Sequence, residues 1–382
     1  MTLEATALVL DGHNPTALAI LRNLGRRGIS AATLDAAPSD YGISRYAKDS
    51  VLLPEAGEAA LLESLLALSE NKPVLFPTTS AYVDFVARNF SVLKAHFRFP
   101  APSAESLAAE AMADLFRDLM PPQRDLSGGK DDLVLEIATT LGFPCLIKAR
   151  DGKKETPIQY IPSAAAFSRA LEKIEAEDFY VERYVPGEAS DNYAASLYYA
   201  DAGELSGFVT TQVLRQYPEF VGEATYVKQK WIPELIGLVH PRLKAAGFRG
   251  IFHATFKRDE FSRKVYITGA ESCFSPETEL FTHLGFETPY LYYLDSTGEA
   301  VPKIFFQSDT NCHFRDGWRD MAGVASYLKT GHMGLMKMLA DYKFRKIPAT
   351  WAWDDMGPGL NKLGAEAAGG ARILYDKLPF NK

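Results

Sequence analysis

The sequence predicts a chain of mixed α/β and α+β class that opens on a doubly wound parallel α/β domain. Three observations point there. The N-terminal segment alternates short apolar runs with longer amphipathic ones. From Phe143 onward, closely spaced strand-like runs replace that alternation. The composition is 47% hydrophobic and 23% charged over 382 residues, enough for more than one core.

Residues 7–10 (ALVL) read as a buried strand, and Asp11–Gly12–His13–Asn14–Pro15 as a loop. Residues 16–27 carry apolar side chains at helical spacing, Gly28 ends that helix, and 29–34 form a second strand closed by Asp35. A strand–helix–strand unit of this length implies a parallel pair joined by a right-handed crossover. Further strands are expected at 51–53, 74–76 and 97–99, between helices at 58–69 and 81–94. Residues 106–135 are helical and then irregular through Pro121–Pro122 and Ser127–Gly128–Gly129. Strands follow at 145–148, 157–160, 179–184, 194–200 and 206–212, with a helix at 164–175. After Gly222 come a helix at 232–246 and strands at 250–257 and 264–268, with 259–263 as the hairpin turn between them. The expected division is 1–105 for the α/β domain, 106–188 for a central lobe, 189–315 for a C-terminal lobe and 316–382 for a helical extension.

A net charge of -7 with no Lys/Arg block excludes a nucleic-acid surface. Cys145, Cys273 and Cys312 stand far apart without CxxC spacing, which fits a reducing compartment and neither a disulfide framework nor a zinc site. No apolar run reaches the roughly 18–20 residues of a membrane span. Glu4, Asp11 and His13 interrupt the only apolar stretch near the N-terminus, so a cytoplasmic protein is expected.

The opening loop lacks GxGxxG spacing. It either ends a strand or offers Asp11, His13 and Asn14 to an acceptor at the edge where open α/β sheets bind ligands. Lys148 closes an apolar strand, so its ammonium must meet water, a carboxylate or a ligand phosphate. Lys153 and Lys154 follow in a turn that either covers phosphates or is simply solvated. In YVERYVPGE, residues 180–188, Pro186–Gly187 interrupts a strand and exposes backbone groups suited to an adenine edge. Glu188 then stands where ribose hydroxyls would lie, unless both glutamates merely end an edge strand. His253 alternates with Phe252 and reads as a packing residue, and His283 has no second histidine at metal-ligand spacing.

"FPCLIKA", "FYVERYVPGE", "LRQYPEFVGEATYV" and "GFRGIFHATFKRD", in that order, resemble the ATP-grasp superfamily, and within it the D-aspartate-ligase-like carboxylate–amine ligases. "ALAILRNLGRRGI", "ISRYAKDSVLLPE" and the tail "WAWDDMGPGL" resemble that branch's opening domain and closing segment. The resemblance covers nearly the whole chain. It implies ATP held between central and C-terminal lobes, and a carboxylate activated as an acyl phosphate for attack by an amine. Amino acids are candidate substrates, and a homodimer or a protein partner stays open. On this resemblance Lys148 and Lys153 would meet phosphates, Glu182 and Val185 adenine, and Glu188 ribose. Arg215 would face the γ-phosphate or acyl phosphate as the catalytic cation. Mg²⁺ would bridge the phosphates.

The family's metal positions depart here. The first carboxylate falls on Thr255, the Glu-x-Asn pair on Gly269-Ala270-Glu271, and the following Arg on Cys273. Only Glu271 retains a carboxylate. The site is either rebuilt around Glu271 with Glu277 or Glu279, or weakened, or lost, leaving an inactive homologue that serves as a binding or scaffold subunit.

Overall fold

Val74, Leu75 and Phe76 belong to a fully buried strand, as a parallel sheet covered on both faces requires. That strand, β4 (Val74–Pro77), pairs with β1 (Ala7–Leu10), which pairs with β2 (Ala31–Asp35) and then β3 (Ala47–Leu52), every pair parallel. The computed structural model describes residues 4–53, 57–126, 129–150, 158–201, 203–332, 336, 338, 341 and 343–364. Two compact units emerge: Met1–Ala104 with Cys273–Pro302 and Ile347–Lys382, and Glu105–Ser272 with Lys303–Lys346.

In the first unit the expected strand–helix–strand opening forms, with Asn14 capping helix Pro15–Arg26 through a 2.9 Å bond from Ala17 N. Residues 97–99 do not become a strand. Only an isolated parallel bridge joins Arg98 to Val74. The long helix expected at 81–94 breaks at Asn89 into Ser80–Arg88 and Phe90–His96. The segment after residue 347 returns to this unit, where the closing Asp355 accepts from Arg22 Nε at 2.9 Å and Ser44 Oγ at 2.7 Å. Among the described residues no helix is long and apolar enough to cross a membrane.

The second unit holds two sheets. The smaller has order β5-β8-β6-β7, from β5 (Gln123–Asp125), β6 (Cys145–Ala149), β7 (Gln159–Ile161) and β8 (Phe179–Arg183), all antiparallel. Its Cys145, Ile147, Ile161 and Val181 join Phe167 in one core. The larger is built on β9 (Asn192–Asp201), β10 (Glu204–Tyr217), β11 (Glu223–Gln229), β12 (Gly250–Arg258) and β13 (Val265–Glu271), in the order β13-β12-β9-β10-β11. The short strands β14 (Ile304–Phe305) and β15 (Cys312–Arg315) pair with β10 and β11. Phe252, Ala254 and Phe256 alternate into a core with Leu197, Tyr199 and helix Pro233–Ala245. Burying each phenylalanine is worth about 2–3 kcal/mol. Alternation therefore turns His253, Thr255 and Lys257 to the opposite face.

Asp259 ends the β12–β13 hairpin as the sequence suggested, accepting from Phe261 N at 3.0 Å and Ser262 N at 2.8 Å. Gly222 is not a left-handed glycine. It closes the loop after β10 through a 2.8 Å bond to Pro218 O, and a Cβ there would collide with the Tyr217 carbonyl. The left-handed backbone belongs to Phe220 instead, at φ 70°.

Candidate functional site

Register places Gln123 opposite Glu182, Glu182 opposite Leu146, Leu146 opposite Tyr160, and Lys148 opposite Tyr180. Directly opposed residues share a face, so these side chains line the side of the small sheet that its core leaves uncovered. There Lys148 Nζ lies 2.7 Å from Glu182 Oε1, and Gln123 Nε2 donates to Glu182 Oε2 at 3.1 Å. Of the three destinations open to Lys148, the chain supplies the carboxylate. Burial alone would lower the pKa of this lysine, but the Glu182 carboxylate outweighs it and raises the value. An ammonium has three donors and Glu182 takes one. The pair can therefore present an acceptor and a donor to a ligand with both.

Residues 184–191 form the strap that carries the chain from β8 into β9. Val185 is buried and Glu188 is exposed. Gly187 sits at φ 143°, a conformation that favours glycine. Asp191 Oδ2 accepts from Glu188 N at 3.1 Å, while the Glu188 side chain caps the short turn that follows. Lys257, which sequence reasoning did not single out, donates to Gly187 O at 2.9 Å and Glu188 O at 2.8 Å. Its signal was the alternation of β12, which leaves a lysine opposite the core-facing Phe256. Lys153, expected at the phosphates, lies outside the described residues.

On the large sheet Thr255 stands opposite Gly269 on one side and Ala194 on the other, and His253 stands between Glu271 and Ser196. Thr255 Oγ1 and Thr268 Oγ1 are 3.0 Å apart, and a Cβ on Gly269 would lie 2.9 Å from Thr255 Oγ1. His253 Nδ1 and Ser196 Oγ are 2.9 Å apart, both nearly buried, which agrees with a packing role for the imidazole.

Arg215 projects into the second unit's interior. Its Nε and Nη2 donate to Asp320 at 2.7 and 2.9 Å, Nη1 donates to Asp341, and its guanidinium lies 4.3 Å from the centre of the Tyr226 ring. Arg315 Nε also reaches Asp320, at 2.8 Å. Burial works to lower the pKa of Arg215, and the two aspartates raise it more. Asp320 is 105 residues away in sequence, so no local motif announced this pairing.

In the first unit Asp11, at φ 65°, accepts from His13 N at 3.1 Å, and the Gly12 amide donates to the buried Asp35. Asn14 Nδ2 donates to Thr78 Oγ1 at 2.8 Å. These loop residues bind one another and hold the carboxyl edge of the parallel sheet in one shape. Burial raises the Asp35 pKa, opposed by its bond from Gly12.

No protein-family model and no curated protein sequence matches this chain. Solved structures do. N5-carboxyaminoimidazole synthetase from Staphylococcus aureus superposes with a TM-score of 0.59 at 13% identity, over 81% of each chain. A biotin carboxylase–β,γ-ATP complex from Campylobacter jejuni gives 0.59 at 16% identity, over 81% of this chain and 74% of that one. N5-carboxyaminoimidazole ribonucleotide synthetase from Thermus thermophilus gives 0.56 at 15% identity, over 78% and 79%. The chain has the ATP-grasp fold.

Within that ATP-grasp frame the donor set for magnesium is thin. Thr255 and Gly269 bring no carboxylate, and hard cations take oxygen ligands from several acidic side chains. Among the described residues no three His, Cys, Asp or Glu side chains gather as a cation site. Glu277 and Glu279, the alternatives to a lost ligand, are engaged in the first unit: Glu277 accepts from Ser275 Oγ, and Glu279 accepts from Arg26 Nη1 at 3.0 Å. Of the positions that the resemblance assigns to magnesium, Glu271 alone carries a carboxylate.

Proposed function

We propose that this ATP-grasp chain is an ATP-dependent carboxylate–amine ligase of the D-aspartate-ligase-like kind. The observation that carries the reading is the Lys148–Glu182–Gln123 group on the open face of the small sheet, on a fold shared with an N5-carboxyaminoimidazole synthetase determined with ADP and a biotin carboxylase determined with β,γ-ATP. Glu182 accepts from the adenine amino group, backbone at Val185 meets the adenine edge, Glu188 takes the ribose, Lys148 neutralises the α/β-phosphates, and Lys153 is a second phosphate-binding cation. The carboxylate oxygen of one substrate takes the γ-phosphoryl group and releases ADP. The amine of the other attacks the acyl carbon and releases phosphate, leaving an amide. Preorganised cations lower the cost of charge on the transferring phosphoryl group. Arg215 was expected to be one of them. It can serve there only by leaving Asp320 and Asp341, so its first role is to brace the second unit.

Small carboxylates and amines, amino acids among them, are the proposed substrates, with the cytoplasm as the compartment. Mg²⁺ would shield the phosphates where bound, with Glu271 as its protein ligand. Thr255 and Gly269 favour a second reading, an ATP-grasp homologue that binds nucleotide or a partner without turnover. ADP release in pools of amino acids, with and without Mg²⁺, separates the two. Amine-dependent ADP formation that falls in Glu271→Ala supports the ligase. ATP binding with no turnover in any pool supports the binder.

A further inference from the structure

Lys257 is 6% exposed, and the carboxylates of Asp191, Glu260 and Glu188 act on its ammonium while its described hydrogen bonds go to carbonyls. A buried lysine is costly, and such groups normally meet a carboxylate or a ligand. Here Nζ spends two of its three donors on consecutive carbonyls of the strap, Gly187 O at 2.9 Å and Glu188 O at 2.8 Å. Asn192, directly opposite Lys257 in the sheet, adds a 3.1 Å bond to Ala189 O. Glu260 N donates to Pro186 O at 3.1 Å from the turn after β12. Gly187 has no room for a side chain: a Cβ would stand 2.9 Å from Asp191 Oδ2 and 3.2 Å from Arg258 O. The strap is thus fixed at four successive carbonyls, 186 to 189, by the end of β12, the turn after it and the start of β9. It also carries the two positions, 185 and 188, assigned above to adenine and ribose.

We propose that Lys257 is a positioning residue that sets the strap backbone for an adenine nucleoside and so determines selectivity for the base and ribose rather than for the phosphates. The proposal rests on the ATP reading of this cleft. Its logic is geometric: Lys257 bonds to the strap and not to the Lys148–Glu182 pair, so its loss tilts residues 185–188 and leaves the phosphate-facing cation in place.

Calorimetric titration of the full chain with ATP, GTP and inorganic tripolyphosphate tests it, comparing the natural protein with Lys257→Met. ATP affinity is expected to fall ten-fold or more and the ATP-over-GTP preference to collapse, while tripolyphosphate affinity stays within two-fold. Should Lys257→Met fail to fold, Lys257→Gln, whose shorter side chain keeps an amide NH₂ for the carbonyls, carries the same comparison with a smaller loss of ATP affinity. A folded variant that keeps both ATP affinity and base preference within two-fold overturns the positioning role alone. Absence of ATP binding by the natural protein overturns the cleft reading, and the proposal with it.

Discussion

Replacing Arg215 with methionine removes a cation that the second unit holds at 4% exposure between Asp320 and Asp341. Methionine fills much of the volume but leaves Asp320, which is itself fully buried, with Arg315 at 2.8 Å and Thr225 Oγ1 at 3.2 Å. Breaking one partner of a buried pair costs about 3–5 kcal/mol. Because Arg315 stays on Asp320, the low end applies, about 3 kcal/mol. At about 2–4 °C per kcal/mol for a unit of this size, the melting temperature should fall by roughly 6–12 °C. Thermal and urea denaturation at neutral pH read the change. The Asp320→Leu change combined with Arg215→Met should be less destabilising than the sum of the single changes, with a coupling above about 1 kcal/mol. An Arg215→Met protein that melts within about 2 °C of the natural one refutes the bracing role and returns Arg215 to the phosphates.

Three further outcomes follow from the same geometry. Burial, opposed by Asp191, Glu260 and Glu188, pushes Lys257 down to about 8 from an ordinary value near 10.5. The unfolded chain then holds more protons between those values, so stability should rise with pH across that window by up to about 3 kcal/mol from this group. Urea midpoints from about pH 7.5 to 10 should show that rise flattened in Lys257→Met, and an unchanged slope would count against the burial. Glu219 is opposed by burial, but bonds from Ser326, His332 and Thr330 lower its pKa. Its stabilisation is present above the ordinary carboxylate value and is lost as pH falls through the lowered one, so Glu219→Gln should flatten the acid limb below about pH 4.5. Gly222→Ala must open the loop that its absent side chain allows, costing about 1–3 kcal/mol. It should also separate Phe220 from Tyr160, whose rings stack at 5.1 Å, a loss visible in near-ultraviolet circular dichroism.

Elements with strong local patterns were legible. The helix Pro15–Arg26 announced itself through apolar spacing over 16–27 and Gly28 as its end, and β12 through the alternation of His253 with Phe252. β11 was not, because EATYVKQ follows a loop whose glycine signalled a turn and not the strand beyond it. Residues 97–99 carried strand-like aromatics but found a single bridge to Val74, since tertiary pairing and not propensity decides short strands. In the candidate site, Lys148 and Glu182 were legible as strand-end charges, and their mutual pairing needed the β6–β8 register. The partners of Arg215 were illegible for a plainer reason: Asp320 and Asp341 lie beyond β11 to β15 in sequence, and no spacing rule spans such a distance.

The proposed function requires ATP to bind at Lys148 and Glu182. Isothermal titration of the natural chain with ATP, beside a Lys148→Met variant, measures that directly. Saturable binding below millimolar ATP is expected, weakened at least ten-fold in the variant. No detectable heat at millimolar ATP, or equal affinity in both proteins, would contradict it.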